Sequence, residues 1–296
     1  MLVARVSAVI ALAAVVGHSA LPGSLPAAAT DRPTAMVDAS HQHREWAPYG
    51  APTAAPDGTG EVSIPVYFTF VTNGARGRYP ESQAQRLVDY ANAAFAGKTN
   101  PNSARTPFRF LLKGIRYVEH AGWYETDEAK WEAGDFMRTL RVGDAGTLNV
   151  VGPEPGPHAG TSTGTLPEYY QADPQRDLVI MDHNSLSADL SVPGPALDDY
   201  ANVFVHEIGH WLGLHHTFEG GCAGEQDDHV SDTPRHLEHW EWPLNESDTC
   251  PEQPGKDPIH NFMAYGTVGP REFTPGQAER MRQQWATYRA APATKP

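Results

Sequence analysis

The residues with the most chemical content lie in one eleven-residue run, His206-Glu207-Ile208-Gly209-His210-Trp211-Leu212-Gly213-Leu214-His215-His216. On a helix, positions i and i+4 share a face, so His206 and His210 can present two imidazole nitrogens to one Zn²⁺ ion. Glu207 lies beside them without being a ligand and can take a proton from a metal-activated water. A catalytic zinc needs three protein ligands and one open position. Gly213 lets the chain leave the helix through a positive φ, and three residues later His216 can return as the third ligand. His215 competes for that place, although the spacing from Gly213 favours His216. For this composition the full pattern arises by chance about 2 times in 10,000, so coincidental histidines on a polar helix face are a poor explanation.

The zinc helix is predicted over Asp198–Leu214, with Asp198 or Asp199 as N-cap. Before it, Ile64–Val71 reads as a strand closed by the Asn73-Gly74 turn. A helix with apolar Leu87, Val88, Ala91, Ala94 and Phe95 follows Pro80 and stops at Gly97. Phe108–Leu112, Ile115–Val118, Thr147–Val151 and Leu178–Met181 are predicted strands. Residues 152–175 read as a Gly/Pro-rich loop, and 217–272 have no sustained periodicity. Thr274-Pro275-Gly276-Gln277 has the form of a capping box, opening a helix to about Arg289. The pattern is α+β: a twisted mixed sheet with a backing helix and the zinc helix over 61–216, then an irregular half over 217–296 ending in a helix.

The chain has 296 residues, a net charge of −14, 14 histidines, 27 glycines and 26 prolines. An acidic chain lacks the basic footprint that nucleic acid or an anionic membrane surface requires. Residues 1–29 read as a secretory signal: one early Arg, an apolar run over Val6–Val16, then Ala27-Ala28-Ala29. Residues 30–60 read as a linker or short pro-segment. The mature chain is expected to be exported and extracellular, with no membrane span and no partner chain, a monomer acting on proteins or peptides. Two cysteines cannot build a thiolate zinc site, but in an exported protein they can form a disulfide.

The long motif resembles that of the metzincin metalloproteases, which also carry a methionine-bearing turn beneath the zinc ligands. Asn261-Phe262-Met263-Ala264-Tyr265 is similar to that turn, with Met263 as its methionine. Tyr265 matches the tyrosine that in some metzincins hydrogen-bonds the oxyanion of the tetrahedral intermediate. The resemblance narrows to the pappalysin-type enzymes, the group with ulilysin-like and fungal secreted proteases. It rests on four blocks in order: His216-Thr217-Phe218-Glu219-Gly220-Gly221-Cys222, Asp228–Pro234, Pro258–Met263 and Phe273–Gln277.

That resemblance implies a zinc endopeptidase with Glu207 as general base. It implies a structural Ca²⁺ held by Asp228, Ser231 and Thr233, hard oxygen ligands in one loop. It also implies a Cys222–Cys250 disulfide, worth ~3 kcal/mol by chain entropy, because the two further cysteines of many family members are both missing here. Ala264 stands where the family usually has aspartate. Asn245-Glu246-Ser247 is an N-glycosylation sequon. Two other readings stay open: a catalytically silent, zinc- and calcium-stabilised binding protein, which the intact Glu207 disfavours, and a protease of the gluzincin kind with a distant Glu as third ligand.

Overall fold

The computed structural model describes residues 60–125, 139–152, 166–181, 186, 195–224, 227–239, 246–265, 269 and 271–290. The signal and linker segments up to residue 59, and Asn245, lie outside them. Strand β1 (Val62–Thr72) is followed by helix α1 (Glu81–Phe95), strand β2 (Phe108–Glu119) and a single helical turn α2 (Ala121–Tyr124). Then come β3 (Leu148–Gly152), α3 (Pro167–Ala172), β4 (Val179–Ile180), the long helix α4 (Pro195–Trp211) and α5 (Pro275–Gln284). A π-helical turn, Trp285–Arg289, continues α5.

β1 is rich in β-branched and aromatic residues and is buried along nearly its whole length. Such a run belongs at the centre of a sheet covered on both faces. The order is β2-β1-β3-β4, and every pairing is parallel. The expected mixed sheet is thus a parallel one among the described residues, because parallel neighbours need a crossover, and a helix is described within each connection. Two strands were expected over 108–118; the structure has one. The interruption at Lys113-Gly114 is a bulge: Val66 faces Leu112 and Tyr67 faces Gly114, so Lys113 is the extra residue.

α1 lays Leu87, Val88, Ala91, Ala94 and Phe95 on the sheet, at the spacing of one helix face. α4 packs beside it. Its residues Ala201, Phe204, Val205, Ile208 and Trp211, and Leu212 just past its end, are all fully buried in the same core. The Phe204 ring lies 5.8 Å from Phe68 of β1, and Tyr90 of α1 donates to Asn202 Oδ1 at 2.7 Å. This burial fixes the roll of α4 and therefore the direction of its histidines.

No described residue between Trp211 and Pro275 lies in a helix or strand. The chain there is held by turns, an isolated bridge between Asn261 and Glu272, and the Cys222–Cys250 disulfide, with its Cα atoms 5.3 Å apart. Thr274 and Gln277 form the expected capping box at the start of α5. Among the described residues, no helix is long and apolar enough to cross a membrane.

Candidate metal and catalytic site

His206 and His210 stand one turn apart on α4, and His216 comes back to them after the helix ends. His210 Nε2 lies 3.0 Å from His206 Nε2 and 3.1 Å from His216 Nε2. The exit from α4 produces this approach. Gly213 N–H donates to His210 O at 2.8 Å and Leu214 N–H to Gly209 O at 2.9 Å, with Gly213 at φ +95°. This is a Schellman turn, and it needs the conformation that glycine adopts without a Cβ penalty. His215 does not join the trio; its ring faces His229 instead, 5.3 Å away.

The second ring nitrogens settle the protonation of two of the three. His206 Nδ1 donates to Phe262 O at 2.6 Å, and His210 Nδ1 donates to Leu214 O at 2.7 Å. A carbonyl can only accept, so in the neutral form both Nε2 atoms carry lone pairs. Burial holds all three rings neutral at ordinary pH. The His206 pKa falls well below the usual histidine value, His210 drops to about 4 and His216 to about 3, with the neighbouring histidines depressing His206 and His216 further. Lone pairs facing each other at 3.0 Å repel. A divalent cation between them removes that repulsion, and three neutral imidazoles suit zinc. The three residues are grouped closely enough for one ion.

Glu207 follows His206 on α4 and is buried. The Tyr265 ring lies 4.7 Å from His216 and 5.9 Å from His206. Its phenol pKa is pushed up to about 12, first by burial and then by the charges of Glu238, Glu207 and Glu219. At neutral pH Tyr265 is therefore a hydroxyl donor. Phe218 stacks on the His216 ring at 4.7 Å, with the planes 9° apart.

Met263 is fully buried, with its sulfur against Gly209 of α4. A Cβ at Gly209 would overlap its sulfur, so the glycine inside the motif is what lets the turn close against α4. The turn is held from both sides. Met263 N–H donates to Asn261 Oδ1 at 2.9 Å, Asn261 and Gln277 exchange two side-chain hydrogen bonds at 2.9 Å, and Met263 O accepts from Thr217 N–H at 3.1 Å. Ala264 is buried with its N–H donating to Asn261 O at 3.2 Å, so the turn closes without the aspartate usual at that position.

In the Asp228 loop, Asp228 Oδ1 accepts from Val230 N–H at 3.1 Å and Oδ2 from the Thr233 hydroxyl at 2.6 Å. Asp228 and Thr233 are thus together, while Ser231 is exposed on the same loop. Burial raises the Asp228 pKa to about 6.

Several supporting residues carry no signal in the sequence. His236 is fully buried and pairs with the Thr217 hydroxyl at 2.8 Å, directly after His216. Asp232 accepts from Thr274 Oγ1 and Gly276 N–H at 2.6 and 2.8 Å, tying the Asp228 loop to the start of α5. Gly209 is the one legible clue, a small residue on α4 beside His210.

Known proteins bear on this arrangement. The profile of the peptidase family described as pregnancy-associated plasma protein-A matches residues 185–286, which contain the histidine trio, Glu207, Met263 and Tyr265. An extracellular metalloprotease of Trichophyton verrucosum is 31% identical over 246 residues, 80% of this chain and 82% of that protein. One from Colletotrichum graminicola is 33% identical over 243 residues, 78% of this chain and 79% of that protein. Mature mirolysin of Tannerella forsythia, solved with a cleaved peptide, shares the fold. Its TM-score is 0.63 at 19% identity, over 79% of this chain and all of that one.

Proposed function

The chain belongs to the pregnancy-associated plasma protein-A family of metalloendopeptidases, and on that premise we propose that it is a secreted zinc endopeptidase with Glu207 as its general base. The observation that carries this reading is the convergence of the Nε2 atoms of His206, His210 and His216 beside a buried carboxylate. These three histidines would hold one zinc. When bound, the ion supplies Lewis acidity, lowering the pKa of water and polarising the peptide carbonyl. Glu207 accepts the proton from the attacking water and returns it to the leaving amine. Tyr265, protonated at neutral pH, donates to the oxygen that gains negative charge. Buried Met263 and stacked Phe218 keep the trio in place.

Export is supported by the relatives, which are named extracellular metalloproteases, and by the apolar N-terminal run. In this reading 1–29 is removed as a signal and 30–60 is a linker or pro-segment. The substrate cleft then runs between the halves 61–216 and 217–296 of a monomer. The decisive experiment is metal analysis beside peptide cleavage. The wild type should carry one zinc per chain and lose cleavage on chelation. His216→Ala should lose the bound zinc. Zinc retained at full stoichiometry in that variant would remove His216 from the site and revive a third ligand from elsewhere.

Calcium at the Asp228 loop belongs to the same reading, with Asp228, Ser231 and Thr233 as oxygen ligands. The metal-free Asp228 has a raised pKa, so protonation favours the native state. That contribution is complete below about pH 4 and is lost as pH rises through about 6. Calcium competes with the proton. Millimolar calcium should therefore raise the melting temperature at neutral pH and do little below about pH 4. An equal calcium effect at both pH values, or none at neutral pH, would show that Asp228 does not bind the ion.

A further inference from the structure

One face of α5 touches both segments that place the histidine trio. Gln277, Arg280 and Gln284 are spaced i, i+3 and i+7, so they line up along the helix. Gln277 holds Asn261 and, through it, the Met263 turn. Arg280 Nε donates to Gly213 O at 2.8 Å. The Gln284 side chain covers the side of Gly213 where a Cβ would lie. The Schellman turn uses the carbonyls of Gly209 and His210, and His210 Nδ1 uses that of Leu214. Gly213 O is left for Arg280.

The turn at Gly213 is the step that returns His216 to the other two histidines. It is also the step with the most backbone freedom to lose, since glycine is the least restricted residue. A charge-assisted hydrogen bond to its carbonyl removes that freedom from outside the turn. From this geometry we propose that Arg280 is a positioning residue for His216, and that its bond to Gly213 O sets how tightly the trio holds zinc. The inference rests on the zinc reading above. Arg280 is half-buried on α5, faces the charges of Glu168, Asp228 and Asp227, and reaches the trio only through the Gly213 carbonyl, so the role assigned to it acts through the turn.

The test compares zinc affinity with fold stability. Arg280→Met keeps the apolar stem and removes the donor. Zinc dissociation constants follow from competition with a chromophoric chelator, and apo-protein melting is recorded in parallel. The expected result is zinc binding about tenfold weaker, within the range for partners that orient metal ligands, with apo-protein melting unmoved. Arg280→Lys, which restores one charged donor, should recover part of the affinity. Affinity changed by less than about twofold in Arg280→Met, or weakened only in proportion to a lower apo melting temperature, overturns the proposal. If Arg280→Met does not fold, Arg280→Lys against Gln284→Ala carries the same comparison: both should weaken zinc, and unchanged affinity in both overturns it. A wild type that binds no zinc overturns the zinc reading itself, and this inference with it.

Discussion

Glu207→Gln is expected to abolish peptide hydrolysis while leaving zinc bound. Glutamine has the same shape and can still hydrogen-bond, but its amide cannot accept a proton. Glu207 is buried and immediately follows His206 on α4. The following position on a helix points about 100° away, so its carboxylate lies beside the trio and not in it. General base catalysis contributes about 10²- to 10⁴-fold, and the loss should fall on kcat with KM nearly kept. Zinc content and melting temperature should match the wild type. Turnover within tenfold of wild type would remove Glu207 from the proton-transfer role. Loss of zinc along with activity would instead mean that the carboxylate is a ligand.

The second large effect is on stability. Arg289 is fully buried and pairs with Asp177, itself fully buried, through two bonds of 2.8 and 3.1 Å. Its Nε also donates to Trp211 O at 2.7 Å, its Nη1 to Ala145 O at 2.8 Å, and its guanidinium lies 3.7 Å over the Trp211 ring. One side chain thus joins the end of α4, the loop before β3 and the segment leading into β4. Arg289→Met leaves the Asp177 charge buried with Arg141 at 3.3 Å, and strips Trp211 O of this donor. Breaking a buried pair from one side costs about 3–5 kcal/mol. Urea unfolding should show that loss as a lower midpoint at similar slope. Arg289→Met with Asp177→Asn should recover part of it, because the buried carboxylate that has lost its two-bond partner is gone. A single-variant loss below about 1 kcal/mol would mean that water or Arg141 already neutralises Asp177.

The two arginines that meet the exit of α4 therefore differ in kind. Arg289 is fully buried and bonds Asp177, Trp211 O and Ala145 O at once, so its removal acts on the whole fold. Arg280 hydrogen-bonds one carbonyl at a half-buried turn and otherwise faces the charges of Glu168, Asp228 and Asp227, so its removal acts first on the turn. Both stand in the last helical segment, over 200 residues after β1 begins.

Some of this was legible in the chain itself. The four-residue spacing of His206 and His210 needs only the helical period, and Glu207 and Gly213 need only local rules for helix faces and helix ends. The capping box at Thr274 and the strands at β1 and β3 are local in the same sense. The bulge at Lys113 was read as a gap between strands, because a bulge and a strand end share the same weak signal in one dimension. Glycine at 114 favours both.

Other features depend on contacts between distant segments, which leave no period in a sequence. His215 and His216 are adjacent, and only the direction of the chain after Gly213 decides that one meets His210 and the other His229. The overlap forbidden at Gly209 exists because Met263 is brought there from 54 positions away. The parallel order of the sheet is set by where each connection crosses. The hydrogen bonds of Arg289 to the end of α4 and of Arg280 to the turn after it likewise form only once α5 has docked. The sequence by itself determined which side chains could bind a metal and move a proton, because that follows from residue type and helical spacing. The tertiary structure decided which third histidine completes the trio and what holds it there, because those are questions of through-space distance between residues that local rules cannot relate.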